Sequence, residues 1–343
     1  MTKHTDILSV TEKEMQIKDK VIFLKQPSVY PHPVLKVETK ETHMSWIFLA
    51  GDFVYKLKKP VAYRFLDFRT LDARLQDCEE EIRLNKKLAA FIYLGIIPLV
   101  LNEENKLQLE GKGQVVEWLV KMKRIPDKNF LDYDLIHQKT DETSVKAVAR
   151  LLTEFYKNAP AVNIEPALYR KKLQEEIIST RTELLNPIYH FPVEFIEHIS
   201  NSLIHFITGQ AALFDTRMAN GKIIEAHGDL RPEHVVLSPR PAIIDALEFN
   251  RELRIMDIAE ELSFLDMECE MMGSPVTGQL ILDYYQYYSN DTIPGSLIHF
   301  YKTKKAFLRA YLVARHITEP AYKDEPRWLN KAYGYLQLAN KYI

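Results

Sequence analysis

One stretch constrains this chain more than any other: residues 223–249, IIEAHGDLRPEHVVLSPRPAIIDALEF. It holds three short apolar runs, Ile223-Ile224, Val235-Val236-Leu237 and Ala242-Ile243-Ile244. A polar loop from His227 to His234 separates the first two, and Ser238-Pro239-Arg240-Pro241 separates the last two. Short apolar runs between turn residues read as strands, and Ser-Pro-Arg-Pro reads as a turn, so the last two runs predict a tight antiparallel hairpin. A turn centred on Pro239-Arg240 sets Val236 opposite Ile243 and His234 opposite Asp245. The returning strand then delivers Asp245 to the loop that carries Asp229. One ribbon gathers two carboxylates and an imidazole.

A single loop carboxylate can take a proton from a hydroxyl. A second carboxylate beside another donor can hold a divalent cation. The two together suit transfer of a phosphoryl group, a reaction in which the protein mainly positions reactants and neutralises charge.

His227-Gly228-Asp229, with a ligand position five residues after the aspartate and a second aspartate after a hairpin, resembles the catalytic loop of aminoglycoside-phosphotransferase-like kinases. That family has the protein-kinase-like fold. Upstream, VYKLKKPVAYRFLDF, CEEEIRLNKKLA and YLGIIPLV look like a bacterial branch of it. The resemblance covers residues 35 to 270, and its strength lies in four motifs in the right order. It implies an α+β, bilobal fold. Residues 1–120 would form a mainly β nucleotide-binding lobe with one long helix, residues 1–34 being an appendage. Residues 121–343 would form a helical lobe with the catalytic loop and acceptor site.

The resemblance also implies roles. Asp229 would be the general base, and His227 would hold the loop without reacting. Asp245 would bind Mg2+ or Mn2+ and Glu248 would support the metal shell. Lys56, with Lys58 as second choice, would neutralise the phosphates of ATP or another nucleoside triphosphate. Glu81 would pair with that lysine, Glu79 and Glu80 being alternatives. Ser45 and Thr42, in a loop from Glu41 to Ser45, would meet phosphate. Backbone near Glu117 to Leu119 would meet adenine, with Trp118 and Met122 as flanking candidates. Asp257 would brace the loops.

Two features depart from the family pattern. The phosphate-covering loop has no glycine. His234 stands where the family has asparagine, and an imidazole suits manganese, zinc or iron better than magnesium. Three readings of His234 stand side by side: a metal ligand with altered preference, a hydrogen-bond partner of the two aspartates, or a lost metal site. Glu233 is a candidate replacement oxygen donor. Arg231 is unusual in this loop and would contact a transferred phosphate or an anionic acceptor.

Composition narrows the partners. The chain has 343 residues, enough for two lobes. Its net charge of −2 gives no electrostatic case for nucleic acid or membrane surfaces. The two cysteines, Cys78 and Cys269, form no metal-binding spacing and fit a reducing cytoplasm. No GxxxxGK[ST] motif occurs.

Along the chain, Leu8 to Leu24 can form an amphipathic helix. Strands follow near residues 35–60, with Gly51-Asp52 as a hairpin turn. A charged helix is expected over 68–90, capped by Thr70. Strands over Tyr93 to Leu101 and Leu107 to Val120 precede helices at Thr143–Lys157, Leu168–Leu185 and Val193–Ala219, and from Ile258 onward. The expected function is γ-phosphoryl transfer to a hydroxyl of a small molecule. A nucleotide-binding pseudokinase and a nucleotidyltransferase on the same fold are the alternatives.

Overall fold

A computed structural model describes residues 16–63, 66–319 and 325–343. Residues 8–15 of the expected N-terminal helix lie outside the described residues. The remainder forms α1 (Ile17–Leu24). The chain divides into two compact units, residues 1–86 with 90–124, and residues 87–89 with 125–343.

The first unit is built on a six-stranded antiparallel sheet. Its strands are β1 (Val37–Glu41), β2 (Ser45–Ala50), β3 (Phe53–Lys58), β6 (Tyr93–Leu101), β7 (Leu107–Leu109) and β8 (Gln114–Lys123). They are arranged β1-β2-β3-β8-β6-β7. A small ribbon, β4 (Ala62–Tyr63) with β5 (Leu66–Asp67), precedes helix α2 (Leu71–Ala89). The Gly51-Asp52 turn joins β2 to β3, with Gly51 at φ +59°. The Thr70 hydroxyl accepts the Ala73 N–H at 3.2 Å and caps α2. Strand alternation sends Tyr55 and Leu57 into a core with Phe48, Leu99, Leu119 and the Leu24 of α1. Lys56 and Lys58 occupy the opposite face.

The single strand expected over 107–120 is two. Glu110 (φ 56°) and Gly113 (φ 150°) take left-handed backbone between them. A Cβ at Gly113 would lie 2.0 Å from the Leu101 carbonyl oxygen, so only glycine allows that approach.

The second unit is mainly helical: α3 (Leu131–Ile136), α4 (Glu142–Asn158), α5 (Pro166–Leu184), α6 (Val193–Gly209) and α7 (Ala211–Ala219) come first. The one helix expected over 193–219 breaks at Gln210 into α6 and α7. Four short strands follow: β9 (Ile223–Glu225), β10 (Val235–Val236), β11 (Ala242–Ile243) and β12 (Ile255–Asp257). Helices α8 (Ile258–Met271), α9 (Pro275–Ser289), α10 (Gly295–Ala314) and α11 (Pro326–Lys341) close the unit.

Helix α8 decides how this unit packs. Every residue from Ile258 to Cys269 is buried, including Glu260, Glu261, Asp266 and Glu268. Buried charge is tolerated only when paired. Glu260 meets Lys304 at 2.8 Å and Lys305 at 3.0 Å, and Asp266 meets Lys302 at 2.9 Å. Glu268 accepts the Tyr335 hydroxyl at 2.8 Å and lies 3.0 Å from Arg309 Nε. The polar stripe of α10 is thus a set of counter-ions, and α8 is a central helix despite its acidic sequence.

Cys78 and Cys269 are free and fully buried. Burial pushes the Cys78 thiol up to about 12, so it stays protonated. Among the described residues no helix is long and apolar enough to cross a membrane.

Candidate active site

In the first unit, β3 and α2 bring the predicted lysines and glutamate together. Lys56 Nζ lies 3.0 Å from Glu81 Oε1, and Lys58 Nζ lies 2.6 Å from Glu81 Oε2. Lys58 also reaches Asp77, one helical turn before Glu81, at 2.7 Å. Glu81 is completely buried and Lys58 nearly so, while the Lys56 side chain retains 11% exposure. The carboxylate therefore serves both lysines, and Lys56 is the more open of the two. Of the alternatives, Glu80 pairs instead with the exposed Arg83 on the same helix.

The other sequence candidates of this unit are placed differently from the expectation. Ser45 is 2% exposed, and its N–H is taken by the Thr42 hydroxyl at 3.0 Å, which closes the glycine-free turn. Glu117 is buried in a three-way ion pair, with Arg74 Nε at 2.8 Å and Lys20 Nζ at 2.9 Å. Leu119 is fully buried and lies between Leu57 of β3 and Ile97 of β6. A residue flanked by strands on both sides offers no open backbone edge to a base. The expected adenine contact at Leu119 therefore does not fit, while Glu117 pairs with Leu99 of β6 and has its carboxylate taken by Arg74 and Lys20.

In the second unit, the hairpin forms with a register one residue from that expected. Val235 pairs with Ile243 and Val236 with Ala242, so the turn is centred on Pro239. The Ile244 N–H donates to the His234 carbonyl at 3.0 Å. Asp245 leaves the ladder in left-handed conformation (φ 62°) and still reaches His234: its Oδ2 is 3.6 Å from His234 Nε2. Asp229 Oδ2 is 3.8 Å from His234 Nδ1. The imidazole stands between the two carboxylates.

Three buried groups hold this arrangement. His227, 1% exposed, donates from Nε2 to the Ile244 carbonyl at 2.9 Å, which leaves Nδ1 to accept the Asp229 N–H at 3.4 Å. It thereby ties the Asp229 loop to the residue before Asp245. Burial and the neighbouring His234 lower its pKa to about 4, so it is neutral. Arg254, fully buried, donates to the Leu247 carbonyl at 2.6 Å, the Glu248 carbonyl at 3.0 Å and the Glu225 carboxylate at 2.6 Å. Glu261 accepts the Gly228 N–H at 2.7 Å. Neither Arg254 nor Glu261 was foreseen. Arg254 carries no local signal. Glu261 follows Asp257 by one helical turn, a spacing that does mark it.

Asp229 is half-buried. Burial alone would push its carboxyl up, but Arg231, His234 and Arg309 outweigh that and hold it below its ordinary value. Arg231 Nη2 donates to Asp229 Oδ2 at 2.9 Å, and Nη1 pairs with Glu233. Asp229 is thus an ionised acceptor held in place by a guanidinium.

The donors suit a divalent cation in chemistry. His234 Nδ1 donates to the Asp229 carbonyl at 2.8 Å, so in the neutral ring the lone pair is on Nε2, which Arg231 Nη2 approaches at 3.4 Å. Nε2 and the 48%-exposed Asp245 carboxylate form a mixed nitrogen and oxygen pair. Their 3.6 Å separation is near the roughly 3 Å of adjacent ligands on one small cation. Glu248 does not join them: among the described residues, His234, Asp245 and Glu248 do not bring one donor each within 4.8 Å of one another. The stretch after Asp245 turns back toward Arg254, which takes the Glu248 carbonyl.

No family model matches the chain. An uncharacterised protein of Mycobacterium tuberculosis, Rv2004c, is 32% identical over 288 residues, covering 81% of this chain and 55% of the relative. A protein of Mycobacterium bovis, Mb2027c, matches to the same extent. The chain spans about half the length of the curated relatives it matches. Among solved structures, a choline/ethanolamine kinase family protein from Mesorhizobium loti has a TM-score of 0.55 at 13% identity, covering 95% of each chain. Choline kinase from Cryptosporidium parvum Iowa II gives 0.55 at 11% identity, covering 94% of this chain and 96% of that one. The GDP and kanamycin complex of APH(2")-IIia gives 0.51 at 15% identity, covering 94% and 98%. The chain therefore has the protein-kinase-like fold, in the form shared by aminoglycoside phosphotransferases and choline/ethanolamine kinases.

Proposed function

We propose that this chain is an ATP-dependent phosphotransferase that moves the γ-phosphoryl group to a hydroxyl of a small molecule. The observation that carries the reading is the placement of Asp229 and Asp245 on either side of His234, at 3.8 and 3.6 Å. Asp229 accepts the proton of the acceptor hydroxyl as its oxygen attacks phosphorus, and the bond to the β-phosphate oxygen breaks to release ADP. Lys56, oriented by Glu81, neutralises phosphate charge. Asp245 and His234 would hold the cation, Mg2+ or Mn2+, which supplies charge neutralisation at the phosphates. Arg231 lies against the base and contacts the transferred group or an anionic acceptor. The smaller unit serves as the nucleotide-binding lobe and the larger as the acceptor lobe. Two buried, protonated thiols accord with work in the cytoplasm.

A pseudokinase is the second reading. It is favoured by His234 in an oxygen-donor position and by the guanidinium already engaging Asp229.

The test pairs a thermal-shift titration of ATP with Mg2+ or Mn2+ with mass analysis of products over a panel of alcohols. Transfer is expected, with a larger rate in Mn2+ than in Mg2+. Asp229→Asn is expected to lose about 10²–10⁴-fold in kcat while keeping the nucleotide shift. His234→Asn is expected to move the preference toward Mg2+. Equal loss in both metals for His234→Ala would remove the ligand role. A shift with ATP but no product over the panel favours the pseudokinase, and no shift with either metal defeats both readings.

A further inference from the structure

The resemblance placed the bracing of the catalytic loop on Asp257. The hydrogen bonds of Asp257 go elsewhere. Its carboxylate takes Arg217 at 2.7 and 3.0 Å, the Tyr301 hydroxyl at 3.1 Å and the Ala259 N–H at 2.8 Å. Each of those groups belongs to helices that frame the unit, not to the loop.

We propose that Glu261 is the residue that positions Asp229, acting through the Gly228 peptide as a buried carboxylate clamp with Tyr156 as its second anchor. Glu261 is 1% exposed and lies one turn past Asp257, in the first turn of α8. Its Oε1 accepts the Gly228 N–H at 2.7 Å, and its Oε2 accepts the Tyr156 hydroxyl at 2.9 Å. The His227 N–H also donates to it. A carboxylate this deep is unfavourable unless its lone pairs are filled, and here two backbone amides and a phenol fill them. The helix N-terminus adds a favourable dipole.

The geometry is directional. Gly228 sits at φ +89°, and a Cβ there would lie 3.0 Å from Arg254 Cγ and 3.1 Å from Leu247 Cβ. Arg254 and Leu247 therefore leave little room for a side chain at Gly228, while its N–H donates to the Glu261 carboxylate. The next residue is Asp229, whose own N–H and carbonyl go to His227 and His234. Glu261 thereby sets where the loop begins, and the histidines set where it ends. Around the carboxylate, Tyr156 faces it from α4 and the Lys305 charge acts on it from α10. Burial pushes its carboxyl up, and the amide donors and the phenol draw it part of the way back.

The catalytic consequence rests on the function proposed above, but the clamp is tested without activity. Hydrogen exchange of the 227–229 amides is compared in the whole chain as wild type, Glu261→Leu, Glu261→Gln, Tyr156→Phe and Asp257→Asn. Loss of an acceptor carrying charge predicts about 10- to 100-fold faster exchange at Gly228 in Glu261→Leu. Glu261→Gln keeps one oxygen for Gly228 and is expected to fall between that variant and wild type, as is Tyr156→Phe. Asp257→Asn is expected to lower Tm but to leave Gly228 exchange close to wild type relative to the helices. In turnover, Glu261→Leu is expected to lose on the order of 10²-fold in kcat, with nucleotide KM within about two-fold. Unchanged Gly228 exchange in folded Glu261→Leu overturns the clamp. If that variant does not fold, unchanged exchange in both Glu261→Gln and Tyr156→Phe overturns it. Acceleration in Asp257→Asn alone returns the role to Asp257. A wild type without ATP turnover would count against the proposed function and leave the exchange result to decide the clamp.

Discussion

Replacing Glu81 by glutamine should unsettle the first unit more than any other single change on α2. Glu81 is completely buried and is shared by two ammonium groups, at 3.0 Å from Lys56 and 2.6 Å from Lys58. An amide of the same shape keeps the packing but removes the charge. Leaving an uncompensated buried charge costs about 3–5 kcal/mol. Lys58 retains Asp77 at 2.7 Å, and Lys56 retains some access to water, so the lower end applies. A loss of about 3 kcal/mol corresponds to roughly 6–12 °C in Tm on the scale of domains of 150–250 residues. The assay is urea and thermal unfolding followed by circular dichroism, with Glu80→Gln as the exposed control. That control should change stability by less than about 0.5 kcal/mol, since exposed ion pairs contribute little. Adding Lys56→Met to Glu81→Gln should recover part of the loss, because an ammonium that has lost the Glu81 charge is removed while the Lys58–Asp77 pair is kept. A cost below about 1 kcal/mol for Glu81→Gln, with no recovery in the double variant, would refute the reasoning. The pair would then be a solvated contact and not a buried one.

Other outcomes follow from the second unit. His227 has its pKa lowered to about 4 from an ordinary 6.5 by burial, so the unfolded chain binds its proton first as pH falls. Its contribution is fully present above pH 6.5 and is lost as pH falls from there toward 4, by about 3 kcal/mol in all. His227→Gln should flatten that part of the stability profile, and an unaltered slope would contradict the assignment. Gly228→Ala meets both a left-handed backbone and the 3.0 Å approach of Arg254, and should cost about 1–3 kcal/mol by denaturant unfolding. Arg254→Met removes donors from the Leu247 and Glu248 carbonyls and should loosen the segment after Asp245, read as faster hydrogen exchange there than in α8.

Local chemistry made much of the molecule legible. The Gly51-Asp52 turn, the Thr70 cap and the alternation of Lys56 and Lys58 are written in neighbouring residues, and the structure has all three. The Ser-Pro-Arg-Pro turn joins β10 to β11 as its residues suggest. Its register, however, depends on one backbone step within the turn, and that step moved His234 opposite Ile244 in place of Asp245. The proximity of His234 to Asp245 survived because Asp245 turns out of the strand in left-handed conformation.

What lay beyond the sequence shares one physical cause. The value of a charged residue depends on partners far along the chain. Glu117 looked like an edge of a binding site and is the counter-ion of Lys20 and Arg74, which lie 97 and 43 residues away. The acids Glu260, Asp266 and Glu268 of α8 lie in the interior, each matched to α10 or to a tyrosine. Asp257 and Glu261 are spaced for the same helix face, and no local rule says which of them meets Gly228. Sequence alone determined which residues can accept a proton, hold a cation or turn the chain, since those are properties of side chains and short spacings. Tertiary structure decided which carboxylate is buried, and with what, because desolvation and pairing arise only when distant segments close around a group.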